Sequence, residues 1–399
     1  MNTASSESTR ASLLTPQGRG AVAVIVVEGP EAAAAVDCRF HSANRRHLVD
    51  QHPNRIVYGR WGSASGEDVI VRCRDIESVE IHSHGGAHSS QQILHDLAHA
   101  GCEVIGWQQR LAERSGCPFR AAAEAGLADA PTFRTASILL DQFQGALRRE
   151  LEAIGTLVQQ SNGSAAIERV EQLLTYAPLG LHLTQPWQVA IAGLPNVGKS
   201  SLLNGLLGYR RAIVLDQPGT TRDLLTATTA ADGWPIQLYD TAGLHATRDE
   251  IEQAGMKLAT GKLSQADLVL WVLDASQIPG DKELKCVMQV EQQIVQQEIQ
   301  LDLAQTLAVV NKMDLAQSPL EINDQSIHTC AITGEGIEPL LDAVVKRLVP
   351  DAPPQGAAVP FTADQINRLR SVQRSCRQSD WPTAEATLRQ SLLSQSRYH

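Results

Sequence analysis

The chain has 399 residues, of which 43% are apolar and 20% charged, proportions typical of a globular protein with two or three domains. A formal net charge of −10 argues against a surface coated with basic residues for nucleic acid, although a local basic patch remains compatible with it. The seven cysteines are scattered and form no CxxC pair, so they indicate neither a disulfide framework nor a zinc site. Because no apolar run approaches the length of a membrane span, we expect a cytoplasmic protein with no membrane partner.

The first part of the chain is predicted to form a mixed α+β domain. A β-branched run over 21–27 and an alternating segment over 78–82 predict strands bounded by turn residues. Apolar residues at helical spacing over 91–100 predict a helix, and 103–105 predicts a return to strand.

Two helical regions are predicted further along the chain. From about residue 119 to 183 apolar residues recur at helical intervals, which predicts long helices packed as a bundle. A turn over 161–164 separates two of these helices and offers a capping residue. Prolines and a glycine over 350–356 predict a linker, and a polar, partly helical segment follows it.

Between these regions, strands and helices alternate in the manner of a doubly wound α/β domain. Strands are predicted over 188–192, 236–239, 268–273 and 306–310, and a helix over 339–348 closes the unit. Ligands of such domains bind at the carboxyl ends of the strands, so the motifs that follow these strands are candidates for a site.

The first motif is a phosphate loop. Residues 193–200 match GxxxxGK[ST] between a predicted strand and a predicted helix, where backbone N–H groups wrap phosphates at a helix N-terminus. Lys199 would neutralise phosphate charge, and the Ser200 hydroxyl would bind Mg²⁺. The nucleotide contacts predicted here are Gly193, Asn196, Val197, Gly198, Lys199, Ser200 and Ser201.

A second group of residues is predicted to complete the phosphate and magnesium site. Asp240 ends a predicted strand and is placed to hold Mg²⁺, while the N–H of Gly243 is placed to meet a γ-phosphate. Thr220 and Thr221 lie in a Pro-Gly-Thr-Thr segment and are predicted nucleotide contacts, and Thr221 could complete the magnesium shell.

The third group reads the base. Asp314, in the segment Asn-Lys-Met-Asp, can accept both N–H groups on the Watson–Crick edge of guanine, an arrangement that adenine does not offer. Asn311 and Lys312 would brace this loop and pack on the base. Cys330 and Ala331 follow the last strand, and the Ala331 N–H could donate to guanine O6. In this order the motifs predict GTP or GDP as the ligand.

The water-orienting residue is less clear from the motifs. Leu244 stands where Ras-type enzymes have a glutamine, and a leucine cannot orient water. Asp249, Glu250 and Glu252 are candidates, and their chemistry alone does not choose among them.

The segments 193–204, 211–223, 240–245 and 311–314, together with 15–25 and 79–86, resemble the MnmE/TrmE family of tRNA-modification GTPases. The resemblance extends over roughly three quarters of the chain. It implies a multidomain fold in which a Ras-like, TrmE-type P-loop α/β GTPase domain is inserted in an α-helical domain and preceded by an α+β N-terminal domain. The predicted limits are 1–116 for the N-terminal domain, 117–186 with 351–399 for a reduced helical domain, and 187–350 for the GTPase domain.

The resemblance also implies a function. The family hydrolyses GTP to GDP and phosphate in a potassium-dependent way and acts in tRNA wobble-uridine modification, with tRNA and a flavoprotein as partners. Its N-terminal domain forms a homodimer and binds formyl-tetrahydrofolate. Asn196 and Leu215 fall at the family's potassium site, and Glu252 falls at its water-orienting glutamate. The catalytic residues so implied are Glu252, Lys199 and Asn196.

Departures from the family pattern leave two other hypotheses open. Val26 stands where an Arg is usual, and the sequence ends at His399 without the family's Cys-x-Gly-Lys tail. The second hypothesis is therefore a regulatory GTPase, related to the family, that has lost the modification chemistry. A third, a ribosome-assembly GTPase of the Era/Der type, is disfavoured because those proteins lack this N-terminal domain.

Overall fold

The computed structural model describes residues 8–16, 20–63, 66–209, 226–240, 263, 265–278, 290–295, 301–316 and 326–392. The chain divides into two compact units, and the boundary between them lies between Ala121 and Ala122. In the described part of the chain, every helix is too short or too polar to cross a lipid bilayer. The three-domain limits given above stay a prediction.

The first unit is an α+β domain built on a seven-stranded sheet. Its elements are β1 (Arg10–Leu13), β2 (Val22–Glu28), α1 (Ala32–Asp37), β3 (Phe40–Ser42), β4 (Ile56–Trp61), β5 (Glu67–Asp75), β6 (Ser78–His84), α2 (Ala87–His99), β7 (Glu103–Val104) and α3 (Trp107–Ser115). The strand order is β3-β4-β5-β6-β2-β1-β7, and β1–β7 is the parallel pair among antiparallel neighbours. The predicted strands and helix are present as β2, β6, β7 and α2.

The core of this unit lies on one face of the sheet. Successive side chains of a strand point to opposite faces, so alternate residues of β2, β4, β5 and β6 are buried together with α1 and α2. A buried polar contact joins the layers, because the indole Nε1 of Trp61 donates to the carboxylate of Asp96 over 2.9 Å.

In the second unit, helices precede and follow an α/β segment along the chain. Its elements are α4 (Pro118–Asp129), which contains the boundary, α5 (Phe133–Phe143), α6 (Ala146–Gln159), α7 (Gly163–Thr175), α8 (Ala177–Leu181), β8 (Trp187–Gly193), α9 (Lys199–Gly208), β9 (Thr226–Ala231), β10 (Trp234–Asp240), β11 (Leu268–Asp274), β12 (Thr306–Asn311), β13 (Ser326–His328), α10 (Ile337–Leu348), α11 (Ala363–Arg377) and α12 (Trp381–Leu392).

The helices that precede and follow the α/β segment pack together. Helix α11 contacts α7 and α12, and α12 contacts α6. The amide of Gln142 on α5 holds the returning chain, donating to the carbonyl of Ala357 over 2.9 Å and accepting from the N–H of Val359 over 3.1 Å. The predicted capping residue is Asn162, whose side chain accepts from the N–H of Ala165 at the start of α7. One helical region is thus formed by two separate parts of the chain.

The α/β segment forms a six-stranded sheet of order β13-β12-β11-β8-β10-β9. All neighbouring strands are parallel except β9 and β10, which form an antiparallel hairpin. Strand β11 is buried along its whole length, as expected for a central strand of a sheet covered on both faces. The five parallel strands β13, β12, β11, β8 and β10 end at the same edge. The predicted fold class, a P-loop α/β domain with a helical region and an N-terminal α+β domain, is confirmed.

Candidate nucleotide-binding site

Five parts of the chain lie at the edge of the second sheet where its parallel strands end. They are residues 193–200 after β8, Asp240 at the end of β10, Asp274 at the end of β11, 311–314 after β12 and 329–331 after β13. This is the edge at which α/β sheets bind ligands.

The phosphate loop has a backbone that few residues other than glycine adopt. Gly193, Asn196 and Gly198 have φ values of +137°, +66° and +94°. A Cβ at Gly193 would lie 2.4 Å from the carbonyl oxygen of Val272, and one at Gly198 would lie 2.4 Å from the amide nitrogen of Asn311. Both glycines are therefore required by conformation and by space. Left-handed residues within such a loop turn backbone N–H groups inward and form an anion-binding concavity.

Lys199 lies at the start of α9 and closes this loop. Its ammonium donates to the carbonyl oxygens of Gly193 and Leu194 over 3.0 and 2.8 Å. The residue is 6% exposed, and burial lowers the pKa of Lys199, although the charge of Asp240 acts in the opposite direction. An ammonium held in this way is poised to neutralise an anion that enters the loop.

Two oxygen donors meet beside the loop. The hydroxyl of Ser200 donates to Oδ2 of Asp240 over 2.7 Å, and Asp240 is 2% exposed. A hydroxyl and a carboxylate at this distance form part of an oxygen ligand set that suits Mg²⁺, which usually keeps waters and phosphate oxygens as its other ligands. These residues therefore fit the predicted metal.

The residues predicted to read the base are held by a network centred on Asn311, which is 2% exposed. Its Nδ2 donates to the carbonyl of Val197 over 3.0 Å, and its Oδ1 accepts from the hydroxyl of Thr329 and the N–H of Ala331 over 3.2 and 3.1 Å. Asn311 thus joins the loops after β8, β12 and β13. In this structure the Ala331 N–H donates to Asn311, and its contact with guanine O6 stays a prediction.

A second contact orients the carboxylate of Asp314. The thiol of Cys330, which is 2% exposed, donates to Oδ1 of Asp314 over 3.1 Å. The structure therefore brings Cys330 and Asp314, which are 16 residues apart, to the same point of the candidate site.

Asp274 is a site residue that the motifs did not identify. Its Oδ2 accepts from the ammonium of Lys312 over 2.7 Å, and its Oδ1 accepts from the N–H and hydroxyl of Ser276 over 3.0 and 2.7 Å. Burial would raise the pKa of Asp274, but the hydrogen bonds from Lys312 and Ser276 lower it overall. The available signal was its place directly after a buried apolar strand, which is also the place of Asp240.

Of the remaining predicted residues, one is described by the structure and five are not. Ser201 is exposed on the first turn of α9. Thr220, Thr221, Gly243, Leu215 and Glu252 lie outside the described residues. The described part of the candidate site consists of Gly193, Asn196, Val197, Gly198, Lys199, Ser200, Asp240, Asp274, Asn311, Lys312, Asp314, Cys330 and Ala331.

Comparison with known proteins gives consistent matches. Residues 188–312 match the model of a family described as 50S ribosome-binding GTPase. The tRNA modification GTPase MnmE of Bacillus licheniformis is 30% identical over 386 residues, covering 84% of this chain and 81% of that protein. MnmE of Geobacter metallireducens is 30% identical over 390 residues, with coverages of 86% and 82%. A solved structure of Era with MgGDPNP and nucleotides 1506-1542 of 16S ribosomal RNA is 24% identical, covers 47% of this chain and 67% of that chain, and has a TM-score of 0.30, too low to carry an argument.

Proposed function

The chain belongs to the MnmE family of GTPases, and from this we propose that it binds GTP with Mg²⁺ and hydrolyses it to GDP and phosphate. The observation that carries the proposal is the meeting of the phosphate loop, the Ser200–Asp240 pair and the Asn311–Asp314 loop at one sheet edge. These parts are those needed to hold the phosphates, a magnesium ion and a guanine base at once.

The triphosphate would be held mainly by the 193–200 loop. Its inward-turned N–H groups and the N-terminus of α9 favour anions. The ammonium of Lys199, which now binds two loop carbonyls, would exchange them for phosphate oxygens. Ser200 and Asp240, together with Thr221, would hold Mg²⁺, which neutralises charge on the phosphates when it is bound.

The base would be recognised by Asp314. A carboxylate accepts from the two adjacent N–H groups that guanine presents and adenine lacks. The Cys330 thiol holds one carboxylate oxygen in place, so less conformational freedom is lost when the base binds. Selectivity for guanine over adenine follows from this fixed pair of acceptors.

For the hydrolytic step we propose Glu252 as the residue that orients the attacking water, and Asn196 with Leu215 as potassium ligands. Family membership supports both assignments. The leucine at 244 cannot orient water as a glutamine does, which further supports a separate water-orienting residue. A bound potassium ion would add positive charge near the phosphates.

Calorimetry and phosphate-release assays on the full chain test this function. With Mg²⁺ present, GTP and GDP should give binding heat and ATP should not. Release of phosphate should be faster in potassium than in sodium, and Glu252→Ala should slow release while sparing affinity for GTP. The absence of heat with any guanine nucleotide would reject the proposal.

We further propose that the GTPase acts in tRNA wobble-uridine modification, with a flavoprotein partner, as a homodimer and with formyl-tetrahydrofolate as a cofactor. The support is that its relatives are described as tRNA modification GTPases. Cytoplasmic location stays a prediction of the sequence. Complementation of a strain that lacks the modified nucleoside, read by mass spectrometry, tests the role. Normal GTP hydrolysis without restored nucleoside would favour the regulatory GTPase instead.

A further inference from the structure

The side chain of Asp274 lies where three loops of the candidate site meet. It comes from the end of β11, whereas its partner Lys312 follows β12. The same lysine ammonium donates to the backbone carbonyl of Asn196 in the phosphate loop. One lysine thus connects the loop that reads the base with the loop that holds the phosphates, and Asp274 is the group that fixes it.

The carboxylate of Asp274 is itself rigidly placed. It is 6% exposed, and its second oxygen caps a short 3-10 turn, Ala275–Gln277, through the N–H and hydroxyl of Ser276. A buried carboxylate with a fixed orientation and a cationic partner forms a strong, directional hydrogen bond.

Lys312 depends on such a partner because its side chain is long and flexible. Holding a lysine in a single conformation costs rotamer entropy. The backbone of Lys312 is also unusual, with φ of +62°, a value that fixes the direction in which its stem leaves the loop. If Asp274 did not hold it, the ammonium would be free to exchange the Asn196 carbonyl for water.

We propose that Asp274 is a positioning residue of the nucleotide site, which holds Lys312 against the phosphate loop so that the base-reading loop and the phosphate loop bind the two ends of one nucleotide together. The inference rests on the proposed function, because it needs a ligand that spans both loops. In this role Asp274 would act on the nucleotide through Lys312.

The test is the affinity of the full chain for a fluorescent GDP in the presence of Mg²⁺. Asp274→Ala should weaken binding by about ten- to hundred-fold, the range for loss of a hydrogen bond to a charged group. Asp274→Asn keeps a neutral acceptor for Lys312 and should lose less. Unchanged affinity in both variants would overturn the inference.

Asp302 supplies a matched control. It caps the 3-10 turn Leu303–Gln305 in the same way, accepting from the N–H of Ala304 over 2.8 Å, and no ion pair of Asp302 occurs among the described residues. Asp302→Ala removes a cap without removing a lysine partner and should change GDP affinity by no more than about two-fold. If Asp302→Ala and Asp274→Ala lowered GDP affinity equally, Asp274 would act only as the cap of its 3-10 turn.

A double-mutant cycle separates positioning from general damage. Lys312→Met keeps the aliphatic stem and removes the ammonium. If Asp274 acts through that ammonium, the double variant should bind GDP within about three-fold of the weaker single variant. If the fold losses in GDP affinity of the two single variants multiplied in the double variant, the inference would be contradicted. If Asp274→Ala fails to fold, the same cycle is run with Asp274→Asn, whose equal affinity to the unsubstituted protein would also contradict it.

The outcomes also separate the inference from the proposed function. An unsubstituted protein that binds no GDP removes both. An unsubstituted protein that binds GDP normally, with variants at Asp274 that bind equally well, removes only the role of Asp274.

Discussion

Asp314 lies on a single 3-10 turn, Met313–Leu315, which Lys312 separates from the end of β12. A carboxylate there offers two acceptors to the two N–H groups of guanine, whereas an amide offers one acceptor and one donor. Asp314→Asn should therefore weaken GTP binding by about a hundred-fold or more and favour xanthosine triphosphate, whose C2 carbonyl accepts from the new amide. Competition binding with the two nucleotides measures the change, and an unaltered preference would remove Asp314 from base reading.

Cys330 allows a finer test of the same site. Its thiol donates to Asp314 from a buried position. Cys330→Ser keeps a donor, whereas Cys330→Val is apolar, slightly larger than cysteine and has no donor. We expect GTP affinity to stay within about two-fold for the serine variant and to fall by about three- to ten-fold for the valine variant, the value of one modest hydrogen bond. Equal affinities would show that the thiol does not orient the carboxylate.

The residues that the sequence could identify are those that belong to ordered motifs. Gly193, Lys199 and Ser200 are predicted because few chance sequences match both the residue types and the spacing of a phosphate loop. Asp274 was missed because a single aspartate after a strand is a common feature, and its value depends on a lysine 38 residues away. Such pairings across loops arise from the sheet order, which residue spacing does not reveal.

At the scale of elements, the strands that were predicted are those with a simple pattern. Strands β8, β11 and β12 are buried apolar runs. Strands β4 and β5 were not predicted, although their buried residues alternate, because their outer faces carry the exposed apolar side chains of Ile56, Tyr58 and Ile70. When both faces of a strand carry apolar residues, apolar and polar residues do not alternate along the sequence, and the strand is hard to predict. Strand β9 is not predicted because its threonines and alanines differ little in hydrophobicity, so its sequence shows no clear alternation of apolar and polar residues.

The three-residue strand β13 carries a histidine whose charge state affects stability. Burial lowers the pKa of His328 below its ordinary value of 6.5, so the folded protein resists protonation there. As pH falls below 6.5, the unfolded chain binds a proton that the folded chain does not, and the free energy of unfolding decreases. His328→Gln should flatten this decrease in urea unfolding at pH 5 to 7.5. His52→Gln serves as the reference for replacing an exposed histidine, and identical pH profiles of both variants would contradict the expectation.

At the scale of the whole molecule, the α/β segment is joined to the helical region through the tip of the β9–β10 hairpin. The hydroxyl of Thr132, which caps α5, donates to the carbonyl of Gly233 over 2.7 Å. The guanidinium of Arg134 donates to the carboxylate of Asp232 over 2.9 Å and lies 5.3 Å from the centre of the Trp234 ring. The other end of β10 is Asp240, so one strand runs from the helical region to the candidate magnesium site.

Neither this junction nor the return of the chain through α11 and α12 follows from residue patterns. Helical periodicity shows that a segment is a helix, but not which distant helix it packs against. The insertion of the GTPase domain in the helical region was implied by family resemblance alone. Contacts such as that between Gln142 and Ala357, which are 215 residues apart, supply the physical basis.

The junction should make the first turn of α5 depend on a residue of the hairpin. Asp232→Ala leaves Arg134 without its carboxylate, and we expect amide hydrogen exchange in the first turn of α5 to accelerate. Because both side chains are well exposed, at 41% and 61%, the coupling energy between Arg134→Ala and Asp232→Ala should be only about 0.2–1 kcal/mol, and it should decrease at high salt because solvent-exposed charges are screened. Asp342→Ala, at an exposed position of α10, is the control and should leave α5 unchanged. Exchange in α5 that is the same for both variants would contradict this expectation and show that the Arg134–Asp232 pair does not stabilise α5.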